Sequence, residues 1–154
     1  MSKANEMSLS ITKKKILVFG ILNCVVYIIL FMSFRCFNLL QFSGLRMLNY
    51  VSLFLISLYQ IKRWVKQIGT YIPPLQAFCA IFFTGSWSFM LFSGFIFVYS
   101  LFDPYVTELY FNTYGQLQSW SALLIFFEGV AGSMVITMIT MMYSNRYENG
   151  ETKI

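Results

Sequence analysis

From Ile16 to Phe34 the chain is hydrophobic at every position except Gly20, Asn23 and Ser33. A helix over these 19 residues is about 28 Å long, close to the hydrocarbon thickness of a bilayer. Met47–Ile61 has the same character but only 15 residues between Arg46 and Lys62. Fifteen residues cross only by thinning the bilayer. The span is therefore drawn back towards Leu39 or Phe42 and taken as 42–61, with Arg46 snorkelling or paired in the outer zone. Pro73-Pro74 opens a third run, since proline fits the first helical turn. Leu75–Phe102 then holds no charge over 28 residues, about 42 Å of helix that has to tilt, kink or protrude. Asp103-Pro104 ends it, because a residue before proline is pushed out of the helical region. The same pair suits the start of a short interfacial helix, with Asp103 as N-cap and Tyr105, Val106, Leu109 and Tyr110 as its apolar stripe. The last run is Ser121–Tyr143, carrying Glu128.

The pattern predicts an all-α, polytopic membrane protein with four transmembrane helices at 16–34, 42–61, 75–102 and 121–143. Residues 1–15 form a basic tail, loose as far as Thr12, residues 67–72 a short turn, and residues 144–154 a polar tail. A cleavable leader is the competing reading of the first run. Nineteen residues exceed the usual leader core, and no small-x-small site follows. Orientation follows from the cations. With both termini inside, Lys3, Lys13, Lys14, Lys15, Lys62, Arg63, Lys66, Arg146 and Lys153 are cytoplasmic, and only Arg35 and Arg46 are external. Nine against two is a strong positive-inside bias. Trp64 and Trp120 fit the two aromatic belts, whereas Trp87 lies deep in the third span, where its N–H needs a serine or carbonyl. No internal repeat supports an inverted-repeat transporter.

Composition agrees with lipid solvation: 58% of the 154 residues are hydrophobic and 11% charged, against about 25% charged in soluble domains. The net charge of +5 is concentrated beside apolar runs, which excludes the spread basic surface of a nucleic-acid binder. The aromatic content of 19% reads as lipid-facing bulk. There is no histidine, so His-based triads and HExxH sites are excluded. Cys24, Cys36 and Cys79 lack metal spacing. Cys24 and Cys79 sit in apolar runs, which disfavours a disulfide, while Cys36 lies near a span end and is chemically accessible.

Glu128 is the one acidic residue inside a span, where ionised side chains are costly and functional by default. Arg46 is its natural partner, since the second and fourth spans run in the same direction and place both at similar outer depth. The two form either a structural ion pair or, through Glu128, a cation relay. Gly129, Gly132 and Ser133 make a small-residue face beside the charge, and Ser86 and Gly94 are expected to do the same in the third span. Asn49, Ser52 and Gln60 read as interhelical hydrogen-bonding groups. No catalytic, cofactor or metal site is expected.

Gly-Leu-Arg-Met-Leu-Asn at 44–49, a basic end to the second span, a third span led by Tyr71 and ending in Asp103-Pro104, and Glu128-Gly129 with Gly132-Ser133 together resemble a family of small four-helix inner-membrane proteins of unknown function from Bacteroidota. The resemblance implies a bacterial inner membrane and picks out Arg46, Asn49, Glu128 and Gly129, but no activity. The expected function is a non-enzymatic subunit or scaffold with membrane-protein partners. A small oligomeric transporter or channel using Glu128 is the alternative, and a phage-type holin comes third.

Overall fold

The computed structural model describes residues 3–41, 43–68, 74–109 and 118–148, and every regular element among them is helical. Four long helices, α1 (Lys3–Cys36), α2 (Met47–Ile68), α3 (Pro74–Ser100) and α5 (Gln118–Glu148), are accompanied by a one-turn helix, α4 (Pro104–Thr107). Three of them hold stretches long and apolar enough to cross a membrane: Lys14–Cys36, Leu75–Ser100 and Ala122–Met142. Expected as a fourth, α2 does not meet that standard. Its continuous α-helix begins at Met47, behind a 3-10 turn at Ser43–Arg46, rather than at 42. Gly44 in that turn is a poor helix former, and Lys62, Arg63 and Lys66 then fall on the helix itself.

The ends differ from expectation in other ways. The first tail is helical from Lys3, and the last helix runs to Glu148 instead of giving way to a tail at 144. Asn38, at φ 54°, stops α1. A left-handed residue just past a helix end lets the following amide turn back on the last carbonyls, and here Leu39 N–H donates to Phe34 O at 2.8 Å. The third helix stops at Ser100, and Leu101–Phe102 continue only as a turn. Asp103 caps α4 as its sequence predicts, accepting from Tyr105 N–H at 3.0 Å. The predicted apolar stripe packs on the core: Val106 is fully buried and Tyr105 and Leu109 lie against the same cluster. Residues 69–73, 110–117 and 149–154 lie outside the described segments. With them go most of the 67–72 turn, residues 110–117 of the connection between the third and fourth spans, Tyr110 among them, and the final residues.

The long helices form a ring in the order α1, α2, α5, α3. Extensive contacts join α3 to α5 and to α1, α2 sits against α5 and α1, and α2 and α3 touch only slightly across the centre. An aromatic seam closes α1 on α3. Tyr27 packs on Phe89 and Phe92 with ring centroids 4.9 and 5.6 Å apart, and Phe31 meets Phe92, Phe95 and Tyr99 at 5.5–6.2 Å. Edge-to-face and tilted geometries of this kind are favourable beyond their area. Many aromatics therefore face inward, which corrects the reading of them as lipid-facing bulk.

Candidate functional site

The polar residues of the interior are distributed along two layers. In the deeper one, Asn23 of α1 is fully buried. Its side-chain amide donates to Tyr27 Oη at 2.7 Å and Ser88 Oγ at 3.3 Å, and its Oδ1 accepts from Ser52 Oγ at 3.3 Å. Ser88 donates to the carbonyl of Gly20 at 3.0 Å, where the missing glycine side chain admits Trp87 as well. One level further, Gln60 Nε2 donates to Thr84 Oγ1 at 3.2 Å. These bonds tie α1, α2 and α3 together, as expected of Ser52 and Gln60. Ser57 Oγ, Gln60 Oε1, Ser86 Oγ and Trp87 Nε1 are buried without a partner.

The second layer lies where α2 begins. Arg46, Asn49 and Tyr50, Phe89, Phe92 and Ile96 of α3, and Ile125 and Glu128 of α5 line a cleft of about 50 Å³, or about 450 Å³ counting its open mouth. Arg46 and Glu128, the two charges paired from sequence, both line this cleft and are both exposed. Tyr50 connects the walls. Its hydroxyl donates to Glu128 O at 3.3 Å, and its ring lies 5.5 Å from that of Phe89.

The glycines around Glu128 make this closeness feasible. A Cβ on Gly129 would run into the Phe89 ring and one on Gly132 into the Tyr50 ring. Ser133 is buried, bonds back to Gly129 O at 2.7 Å, and stands so near Gly85 that a Cβ there would lie 2.5 Å from Ser133 Oγ. Gly129, Gly132 and Ser133 therefore pack as the sequence suggests. Gly94 does not: it faces outward with open space at its Cβ position. Ser86 is half-buried, and the inward face of α3 carries Thr84, Ser88 and Phe92 instead.

One functional-looking group was missed. Arg35, at the end of α1, donates from Nε to Asp103 Oδ2 at 2.7 Å and from Nη2 to Oδ1 at 3.3 Å, with its guanidinium carbon 4.5 Å from the centroid of the Tyr105 ring. The Arg35 hydrogen bond holds the Asp103 carboxyl below its ordinary value of 3.8. The signal was available: the depth argument that paired Arg46 with Glu128 also puts Arg35 level with Asp103.

Chemically, the cleft offers one cation, one carboxylate, an amide and aromatic walls. It contains no nucleophile paired with a base. Among the described residues no three His, Cys, Asp or Glu side chains cluster as metal ligands. Cys24 is buried, Cys79 half-buried and Cys36 exposed, all as free thiols. No protein-family model, curated protein or solved structure matches the chain, so the Bacteroidota resemblance stands on the residues quoted for it.

Proposed function

We propose that the chain is a four-pass protein of a bacterial inner membrane, with both termini cytoplasmic, acting as a non-enzymatic subunit that packs against other membrane proteins. One observation carries the reading: the polarity is inside out. Asn23, Ser57, Gln60, Thr84, Ser88, Ser133 and Thr137 are buried, while large hydrophobic side chains cover the outside of all four long helices. Water would not tolerate an apolar surface of that extent, whereas lipid solvates it.

The same argument extends to α2. Met47, Val51, Leu55 and Tyr59 recur every four residues and are all exposed, so one continuous stripe of α2 faces outward beside the stripes of α1 and α5. Its shortness is offset by Lys62 and Arg63, whose long stems reach the headgroups. Interior hydroxyls and amides mostly bond to neighbouring helices or to their own backbone, the arrangement of packing groups. Glu128 at the rim of an open cleft is the observation favouring the oligomeric transporter as second reading.

Topology is tested with single cysteines in a Cys-free background. Lys3→Cys and Gly150→Cys should resist an impermeant thiol reagent in intact cells, and Asn112→Cys should react. Labelling of either tail from outside refutes the topology. Light scattering of the purified protein, corrected for detergent, separates the roles: co-purifying partners support the subunit, and a homo-oligomer whose cation flux is lost in Glu128→Gln supports transport.

A further inference from the structure

An antiparallel seam joins α1 to α2. The rings of Phe19 and Tyr59 meet edge to face with centroids 6.1 Å apart, and deeper in the bundle Asn23 Oδ1 accepts from Ser52 Oγ at 3.3 Å. These two contacts set the register. Lys15 lies four residues before Phe19, and Arg63 four residues after Tyr59. Residues four apart share a helix face, so Lys15 and Arg63 stand on the seam-facing sides of the two helices, about 6 Å beyond the ring pair. Lys14 and Lys62 are their chain neighbours, and Lys14, Lys62 and Arg63 are exposed. We propose that this basic end of the seam binds an anionic phospholipid, its phosphodiester held by Lys15 and Arg63 and flanked by Lys14 and Lys62. The proposal rests on the membrane reading above.

Charge calls for an anion. The cations meet where neither helix supplies a carboxylate at their level. No acidic residue occurs in α2, and Glu6, the one acid of α1, precedes Lys15 by nine residues, about 14 Å of helix. At the end of α5, Arg146 and Glu148 offset each other. Lys15 and Lys62 are already engaged within the chain. An ammonium carries three donors and a guanidinium five, so a phosphate adds to those contacts through charge-assisted hydrogen bonds. A zwitterionic headgroup would bring its own ammonium into a site crowded with cations.

The surface beside the cations marks the anion as a lipid. Val18 and Leu22 on α1 and Leu55 and Tyr59 on α2 are exposed. They begin at the level of the ring pair and continue along both helices away from the charges, so acyl chains lie over the outside without entering the protein. A soluble phosphate would leave that apolar surface unused, whereas basic residues placed directly beside a membrane helix are the usual site for acidic lipid headgroups.

The test uses the full chain equilibrated with vesicles of equimolar phosphatidylglycerol and phosphatidylethanolamine, extracted gently, with bound lipid counted by native mass spectrometry. One basic residue near an anionic leaflet strengthens binding about fivefold, so two in direct contact give about 25-fold. The wild type should retain phosphatidylglycerol over phosphatidylethanolamine by that factor, and Lys15→Gln/Arg63→Gln should bring the ratio close to one. Lys15→Arg/Arg63→Lys keeps both charges and should keep the preference. Lys3→Gln/Lys153→Gln removes the same charge away from the seam and should leave the ratio unchanged. Equal retention of the two lipids by the wild type overturns the proposal, whether or not the variants fold. So does an unchanged preference in folded Lys15→Gln/Arg63→Gln. An equal fall in the seam and tail variants also overturns it, since the attraction would then be diffuse. Competition by soluble glycerophosphoglycerol as strong as by the intact lipid does the same, since the ligand would then be a free phosphate. Alkaline extraction of membranes separates the two levels of inference. A chain that stays in the membrane without preferring phosphatidylglycerol sinks the lipid site alone, and a chain released by alkali sinks the membrane reading with it.

Discussion

Asp103 performs two tasks that substitution can separate. Its carboxylate accepts two hydrogen bonds from Arg35, at 2.7 and 3.3 Å, and its Oδ1 also caps α4 through Tyr105 N–H at 3.0 Å. Asparagine still caps but carries no charge. A hydrogen bond to a charged partner contributes about 1.5–3 kcal/mol. The Arg35 and Asp103 side chains are 28% and 14% exposed, which places this pair near the lower end of that range. Asp103→Asn should therefore destabilise the protein by about 1.5 kcal/mol, and Asp103→Ala by about 1 kcal/mol more for the lost cap.

Arg35→Gln should cost about as much as Asp103→Asn, and the double variant Arg35→Gln/Asp103→Asn little more than either. The implied coupling is about 1 kcal/mol or more, well above the roughly 0.3–0.5 kcal/mol scatter of independent sites. Reversible unfolding of the full chain in mixed micelles, followed by helical circular dichroism, reads all four variants. Strict additivity of the two single losses would refute the pair. Equal losses for Asp103→Asn and Asp103→Ala would refute the cap.

Acid provides a second view of the same group. Because the folded carboxyl titrates below its ordinary value of 3.8, its stabilisation is present above that value and is withdrawn as pH falls through the lowered one. Unfolding midpoints measured between pH 6 and 2.5 should converge for wild type and Asp103→Asn at the acid end, and a constant gap would refute the assignment. Gly129→Leu and Gly132→Leu should each cost about 1–3 kcal/mol by overpacking against Phe89 and Tyr50, whereas Gly94→Leu should stay within about 0.5 kcal/mol of wild type. A comparable loss at Gly94 in the same unfolding assay would show that α3 turns a different face inward. Asn23→Ala removes the junction of α1, α2 and α3 and should cost about 0.6–1.7 kcal/mol, the range for hydrogen bonds between membrane helices. An unchanged midpoint would mean that the surrounding hydroxyls re-pair without it.

The positions of the long helices were legible because uninterrupted apolar runs and proline or charge boundaries mark them directly. The interior of each helix was harder to read, and α3 shows why. A helix apolar all round has no amphipathic stripe to tell lipid from core. Bulk hydrophobicity therefore said nothing of Phe92, which is buried, or Gly94, which is exposed. The start of α2 was obscured for a different reason: a 3-10 turn and an α-turn draw on the same residues at Ser43–Arg46.

What does index the inward face is the sparse polar set. In lipid an unpaired hydroxyl or amide is costly, so these groups turn towards neighbouring helices or bond to the turn behind them. Thr84 and Ser88 on α3 lie one turn apart, and continuing that row by four residues reaches Phe92 and Ile96, both buried. On α5, Gly129, Ser133 and Thr137 mark the buried row in the same way. Applied before the apolar residues are considered, that rule places Phe92 inside and leaves Gly94, two residues further on and about 200° around the helix, facing outward. Arg46 and Glu128 fall outside that rule, since both are exposed, and the small residues beside Glu128 mark instead where the rings of Phe89 and Tyr50 pack against α5. Arg35 and Asp103 escaped because each lies one residue beyond a predicted span, past Phe34 and Phe102, where a search confined to the spans does not look.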